Sequence, residues 1–143
     1  MKVETALAAK GRDVATVHPS ATLATVAQRL RLERIGALVV VEEGKVVGII
    51  SERDVVHAFA AHRAETSEIK VAEVMTRSVI SCHREDSLTR VLGVMTRQRV
   101  RHLPVLEAGR LVGLISIGDA VKHRLDELEP EAAVMRDAYV AAH

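Results

Sequence analysis

The sequence predicts a mixed α/β (α+β) protein made of two tandem β-α-β-β-α units, packed through their sheets with pseudo-two-fold symmetry. The main observation is an internal repeat with a constant offset of 65 residues, which pairs Asp54 with Asp119. Each copy also contains two apolar runs separated by a short turn, a pattern typical of a β-hairpin. A stretch with apolar residues at helical spacing precedes each hairpin. Short helices are expected before and after the repeated region.

The first unit is expected to span residues 3–63. Residues 3–10 carry apolar side chains at near-helical spacing, and Gly11 is suited to end that helix in a left-handed conformation. Residues 14–17 are β-prone and are soon followed by Pro19, which cannot continue a central strand. This stretch is therefore predicted to form a short strand.

A second helix is predicted from Thr22, with either Ser20 or Thr22 as its N-cap, and Gly36 is predicted to end it. Two continuous apolar runs, 37–41 and 46–50, then predict a hairpin whose strands are covered on at least part of both faces. Asp54 is predicted to begin the helix that closes the unit.

A polar segment at residues 64–70 is predicted to be the linker, and the second unit is expected to span residues 71–124. Residues 125–143 fall outside the repeat and predict a C-terminal helical tail, with Pro130 as a candidate break. Its apolar stripe consists of Leu125, Leu128, Ala132, Met135 and Tyr139. Either the same domain or a dimer partner must cover this stripe, and the sequence leaves both alternatives open.

Composition narrows the classes of partner. The net charge is only +1, so no strong field attracts nucleic acid or an anionic membrane. The aromatic residues are limited to Phe59 and Tyr139, which disfavours base stacking. We therefore expect neither nucleic acid nor membrane as a partner. The single cysteine, Cys82, cannot form an internal disulfide, which favours a cytoplasmic location.

Each copy ends in the same polar pattern, Gly-x-x-Ser-x-x-Asp, seen at Gly48–Asp54 and Gly113–Asp119. An Asp near a helix start can accept hydrogen bonds from two neighbouring hydroxyl groups, while the free N–H groups of the helix can hold an anion. A ribose joined to a phosphate presents both partners. The sequence contains no nucleophile elbow, phosphate-cradling glycine loop or zinc motif. It therefore predicts nucleotide binding without catalysis, and no metal site.

Tandem units with this order of elements and the Gly-x-x-Ser-x-x-Asp ending resemble the CBS domain pair, or Bateman module, of short stand-alone bacterial proteins. The resemblance covers about residues 3–125, and Arg101-His102-Leu103-Pro104-Val105 carries it most strongly. The first copy matches less closely, because Gly36-Ala37-Leu38-Val39 stands where the second has that string. The resemblance implies an adenosyl ligand (AMP, ADP, ATP, NAD or, less often, S-adenosylmethionine) and no required cofactor.

The resemblance also implies pockets built across the two units. In the first, Asp119 would hold the ribose, and Arg101 and His102 would face the phosphate. The residues assigned to this pocket are Asp119, Ser116, Gly118, Thr16, Val17, Ala21, Ile35, Gly36, Ala37, Arg101 and His102. A second, weaker pocket would use Asp54, Ser51, Arg53, Ser81, Cys82, Asp86 and Val100. It is ranked lower because the Asp86 carboxylate, at the position equivalent to Ala21, would repel a phosphate and is costly to desolvate.

Family resemblance further implies a homodimer and a regulated partner protein that the sequence does not identify. The rival interpretation is a structural dimerisation or interaction protein that has the same fold and binds no nucleotide.

Overall fold

The computed structural model describes residues 1–142 of the chain, apart from the side chains of residues 131–133. The elements follow in this order: α1 (Val3–Lys10), β1 (Thr16–Val17), α2 (Leu23–Glu33), β2 (Ala37–Glu42), β3 (Lys45–Ser51), α3 (Glu52–His62), a 3-10 helix (Arg63–Glu68), α4 (Val71–Val74), α5 (Leu88–Gln98), β4 (His102–Glu107), β5 (Arg110–Ser116) and α6 (Ile117–Ala142).

Two small sheets form the centre of the molecule. In the first unit β2 and β3 form an antiparallel hairpin, and β1 runs parallel to β2 with Thr16 opposite Val39. In the second unit β4 and β5 form the equivalent hairpin, and a single parallel bridge between Cys82 and Val105 replaces the first strand. Strands β3 and β5 lie against each other and join the sheets. The predicted mixed fold is confirmed, although β1 is shorter than the predicted residues 14–17.

Helix α3 begins at Glu52 and not, as predicted, at Asp54. The side chain of Ser51 accepts a hydrogen bond from the backbone N–H of Asp54, so Ser51 is the N-cap and Asp54 is the third helical residue. The Asp54 carboxylate in turn accepts from the Ser51 backbone, completing a capping box.

Helix α2 ends at Glu33 and not, as predicted, at Gly36. Arg34 adopts the left-handed conformation, with φ of 54°, and thereby ends the helix without a glycine. The predicted left-handed cap at Gly11 is also wrong. That residue follows the last residue of α1 with φ of 103° and ψ of 156°, a positive-φ conformation that favours glycine but lies outside the left-handed helical region.

Helix α6 is continuous through Pro130, so the predicted break there is wrong. Proline has no N–H to donate to the carbonyl of Asp126, but this stretch is exposed and water can bond to that carbonyl. The predicted stripe does not pack back on its own domain, since Leu125 is 56% exposed and Met135 is 74% exposed. The side chain of Ala132 lies outside the described residues. Of the described helices, none combines the length and apolar character that crossing a membrane requires.

The core consists of two hydrophobic clusters, and each contains a segment from the other half of the sequence. Leu7 of α1 belongs to the cluster of the second unit, together with Leu103 and Ile115. Val71 of α4 belongs to the cluster of the first unit, with Leu38. Packing therefore completes each unit with the lead-in helix that precedes the other unit in sequence.

Backbone hydrogen bonds fix this exchange. The N–H of Val3 donates to the carbonyl of Asp86 at 2.9 Å, tying α1 to the second unit. The N–H of Leu23 donates to the carbonyl of Ile69 at 2.9 Å, tying the segment before α4 to the first unit.

Substituting Gly113 with alanine is expected to destabilise the protein by about 1–3 kcal/mol, because the added methyl group overpacks the core. A Cβ at Gly113 would lie 2.7 Å from Cδ2 of Leu7, which is fully buried and has no room to move. Gly118→Ala is the matched control, because its Cβ would meet only Ser116 Oγ at an ordinary 3.6 Å. Urea denaturation measures both variants. Equal free energies of unfolding would contradict the close packing of α1 on β5.

Candidate functional site

The starts of α3 and α6 carry the same polar arrangement. The Ser51 N–H donates to Asp54 Oδ2 at 2.8 Å, and the Ser116 N–H donates to Asp119 Oδ2 at 2.9 Å. The Asp119 N–H donates in return to Ser116 Oγ at 3.1 Å. These bonds orient each carboxylate at the positive end of a helix and leave it lone pairs for further donors. The carboxylate can accept hydrogen bonds from hydroxyl groups, and the positive end of the helix can attract an anion.

A cleft of about 270 Å³ lies between the two units at the start of α3. The first unit supplies two carboxylates, Glu52 and Asp54, and the guanidinium group of Arg53, and the segment before β4 supplies two further guanidinium groups. The lining residues are Gly36, Ile49, Ser51, Glu52, Arg53, Asp54, Thr76, Arg99, Val100, Arg101 and His102. We call this the Asp54 cleft. Arginine binds phosphate oxygens in a bidentate manner, so the cleft combines an acceptor for hydroxyl groups with donors for an anion.

His102 is half-buried at the seam between the units. A Cβ on Gly36 would lie 3.0 Å from its Nε2, so the ring packs directly on the first unit. Burial lowers the pKa of His102, and the Lys10 ammonium group lowers it further, against the opposing influence of Asp119 and Glu52. The ring is therefore neutral at pH 7.

The free energy of unfolding is expected to fall as the pH drops from 7 towards 5, and His102→Asn is expected to reduce this dependence. Because the folded pKa of His102 lies below its unfolded value of about 6.5, the unfolded state binds more protons and stability rises with pH. The exposed His57 provides the control variant His57→Asn. Chemical denaturation across this pH range is the measurement. A His102→Asn protein with the wild-type pH slope would contradict the assignment.

The start of α6, which we call the Asp119 site, contains a residue that the sequence did not predict. Lys10 Nζ lies 2.5 Å from Asp119 Oδ2 and donates to the carbonyl of Leu114 at 2.8 Å. Burial tends to raise the pKa of Asp119, but hydrogen bonds from Lys10 and Ser116 outweigh it and hold that pKa below its usual value. Asp119 is therefore ionised and paired.

The residues of the predicted first pocket lie around two neighbouring places, and His102 is close enough to both for Asp119 and Glu52 to influence its pKa. Asp119, Ser116 and Gly118 lie at the Asp119 site, whereas Gly36, Arg101 and His102 line the Asp54 cleft. The residues predicted to meet the adenine belong to or border the first-unit core: Val17 and Ala37 are buried, Ala21 and Ile35 pack against the core, and Thr16 is exposed.

The predicted second pocket is brought together in part. Ser51, Arg53, Asp54 and Val100 line the cleft, as do Ile49, Glu52, Thr76 and Arg99, which the sequence reasoning did not assign.

Ser81, Cys82 and Asp86 are not among the described residues that line the Asp54 cleft. Cys82 is buried in the second-unit core, where its backbone bonds to Pro104 and Leu106. Burial, and then the charge of Asp86, raise the pKa of its thiol to about 12, so the thiol is protonated. The Asp86 carboxylate accepts from the backbone of His83 at 2.9 Å. Asp86 therefore does not line the cleft, although it was predicted to border this pocket.

Residues 1–142 contain no group of three or more His, Cys, Asp or Glu side chains that could hold a metal ion. The groups that line the Asp54 cleft are carboxylate, hydroxyl, guanidinium and imidazole groups, together with apolar side chains.

The comparisons with known proteins agree with this architecture. The sequence pattern described as "CBS domain" matches residues 10–61 and again residues 71–126. A crystal structure of a CBS-domain containing protein from Agrobacterium tumefaciens superimposes with a TM-score of 0.85. It is 42% identical, and the match covers 87% of this chain and 99% of that one.

Two further relatives extend the comparison. The CBS domain-containing protein YhcV of Bacillus subtilis is 27% identical over 130 residues, which is 91% of this chain and 92% of YhcV. The CBS domain pair of protein MJ0100, in complex with 5-methylthioadenosine and S-adenosyl-L-methionine, is 26% identical with a TM-score of 0.78. That match covers 89% of this chain and 98% of that one. This chain belongs to the CBS domain family and consists of a tandem pair of its domains.

Proposed function

We propose that this CBS pair is a regulatory module that binds an adenine nucleotide (AMP, ADP, ATP or NAD) between its two units and does no chemistry on it. The observation that carries the proposal is the Asp54 cleft, whose volume of about 270 Å³ is close to the lower end for ligand pockets, about 300 Å³. It places an oriented carboxylate opposite basic side chains, as a ribose 5′-phosphate requires.

Each group in the cleft has a proposed role. Asp54 accepts the ribose hydroxyl groups, with the start of α3 and Arg53 beside the sugar and phosphate. Arg99 and Arg101 hold the phosphate oxygens, because guanidinium groups form charge-assisted hydrogen bonds with them. His102 borders the phosphate as a neutral donor. The ligands of the MJ0100 pair, 5-methylthioadenosine and S-adenosyl-L-methionine, support an adenosyl ligand in general.

The proposed mechanism follows from the origin of these residues. Asp54 belongs to the first unit and Arg101 to the second, so one ligand bridges the seam. A ligand that binds one arrangement of the units more tightly shifts the population towards that arrangement. An unidentified partner protein binds differently to the two arrangements and so responds to the ligand. The shift is limited by the difference in affinity between the two arrangements.

A thermal-shift experiment tests the proposed function. Millimolar AMP, ATP and NAD are expected to raise the melting temperature through mass action, and adenosine without a phosphate is expected to raise it less. Incubation with ATP and Mg²⁺ is expected to release no product. An unchanged melting temperature with all the nucleotides would contradict the proposal.

We also propose that the protein is a homodimer. Val56 on α3 and Val121 on α6 occupy equivalent positions in the repeat, and both are exposed, as is Phe59. Burying such faces between two copies gains free energy in proportion to the apolar area removed from water. This feature also favours the alternative function, a structural dimerisation protein, which predicts a dimer without any nucleotide response.

The double substitution Val56→Asp and Val121→Asp is expected to weaken the dimer, since a charge would be desolvated at each contact. Light scattering after gel filtration is expected to give twice the chain mass of 15.6 kDa for the wild type and a smaller mass for the variant. Leu32→Asp, at an exposed position on α2, is the control. A monomeric wild type would contradict the proposed dimer.

A further inference from the structure

The two helix starts are equivalent in sequence but carry different charges. The Asp54 and Asp119 carboxylates accept from the serine three residues earlier at almost the same distance, 2.8 and 2.9 Å. Among the described residues, no ammonium or guanidinium group forms an ion pair with Asp54. Asp119 is paired with Lys10 at 2.5 Å. The offset of 65 residues places Met75 opposite Lys10, so the repeat does not supply a cation to the first site.

The position of Lys10 is fixed by a second bond. Its ammonium group donates to the carbonyl of Leu114 at 2.8 Å. The equivalent carbonyl in the first unit, that of Ile49, accepts from the backbone N–H of Thr76 at 2.9 Å. Lys10 thus satisfies a carbonyl that a backbone amide satisfies in the other half. Since α1 is held by the buried Leu7, the lysine projects from a fixed helix end.

We propose that Lys10 selects ligands by charge at the Asp119 site, favouring nucleosides that carry a 5′-phosphate over neutral nucleosides. This inference rests on the proposed function. A ribose whose hydroxyl groups donate hydrogen bonds to Asp119 must displace the ammonium group from the carboxylate. A neutral nucleoside leaves that ammonium group without an anionic partner, whereas a 5′-phosphate replaces the carboxylate as its partner.

The geometry allows this exchange of partners. The side chains of Lys10 and Asp119 are 33% and 26% exposed, so a ligand can reach the pair from solvent. A lysine side chain has a long flexible stem and a compact charge, so the ammonium group can turn from Asp119 to a phosphate on the same sugar. The Asp54 cleft presents its carboxylate without a pair to break. Its preference for a phosphate is assigned to arginine side chains, and Lys10 acts on this cleft only through its charge near His102.

The test is an NMR titration of the ¹⁵N-labelled full chain with adenosine and with AMP. The amide signals of Ser116 and Asp119 report on one site, and those of Ser51 and Asp54 report on the other. In the wild type, AMP is expected to bind the Asp119 site about tenfold or more tightly than adenosine does.

In Lys10→Met, which installs the residue found at the equivalent position of the repeat, that preference is expected to fall about tenfold at Ser116 and Asp119. At Ser51 and Asp54 it is expected to change far less, because arginine side chains hold the phosphate there. Lys10→Arg should keep most of the preference. Lys2→Met is the control, because Lys2 pairs with Glu85 at 2.6 Å at the other end of α1.

A pH titration of the Asp119 carboxyl ¹³C signal without ligand tests the ion pair between Lys10 and Asp119 independently of binding. The pKa of Asp119 is expected to rise in Lys10→Met, because the hydrogen bond that holds it low is lost. An unchanged Asp119 pKa, or an unchanged AMP preference at the Asp119 site, would overturn the inference. Binding of AMP only at Ser51 and Asp54 would also overturn it and leave the proposed function standing. No response of either pair of amides to AMP would contradict the proposed function itself.

Discussion

Replacing Leu7 with alanine is expected to lower the free energy of unfolding by about 2–5 kcal/mol. Leu7 is only 1% exposed and packs in the second-unit cluster, although it lies near the start of the chain. Its removal leaves a cavity beneath β5, where Gly113 approaches it so closely that no side chain would fit. The substitution also weakens the anchoring of α1, and therefore of Lys10, at the Asp119 site.

The control for this prediction is Leu32→Ala on α2, since Leu32 is 65% exposed and loses little contact with the core. Urea denaturation measures the free energy of unfolding of both variants. For Leu32→Ala that free energy is expected to stay within about 0.5 kcal/mol of the wild-type value. Similar stabilities for the two variants would show that α1 does not pack on the second unit.

Asp54→Ala is expected to weaken AMP binding by about 1–3 kcal/mol, which is about 5- to 150-fold. The carboxylate is the acceptor proposed for the ribose hydroxyl groups, and removing it leaves those hydroxyl groups unpaired in the cleft. The substitution also removes the capping contact to Ser51, which costs about 1 kcal/mol of stability. Isothermal titration calorimetry measures the binding, and urea denaturation measures the stability.

Asp86→Ala separates these two effects. Asp86 accepts from the backbone N–H of His83 at 2.9 Å, three residues earlier, just as Asp54 accepts from Ser51 at 2.8 Å. It does not belong to the set of described residues that line the Asp54 cleft. The two variants should therefore lose similar stability, but only Asp54→Ala should lose affinity. Equal losses of affinity would mean that the cleft is assigned to the wrong carboxylate.

The sequence predicts what depends on neighbours along the chain. The hairpins follow from continuous apolar runs beside turn residues, and the polar pattern at the start of α3 follows from the repeated Gly-x-x-Ser-x-x-Asp spacing. The C-terminal ends of α2 and α5 could not be predicted from neighbouring residues in this way. Arg34 and Arg99 end these helices with a positive φ of 54° and 55°, a conformation that sequence patterns assign to glycine.

The features that the sequence missed depend on contacts between distant parts of the chain. Lys10 meets Asp119 across 109 positions, and it does so only because α1 packs on the second unit and not on the unit it precedes. The repeat gives no signal for this contact, since Met75 occupies the equivalent position. Gly36 and His102 also meet at the seam from different halves of the chain, a contact that no pattern along the sequence indicates.

The dissociation constants of AMP, ATP and NAD for the wild-type protein, measured by isothermal titration calorimetry, test the central claim most directly. A cleft that joins an oriented carboxylate to Arg99 and Arg101 predicts that at least one of them binds with a submillimolar or tighter constant. If none of the three gives a submillimolar constant, the seam between the two units is not a nucleotide site and the structural alternative replaces it.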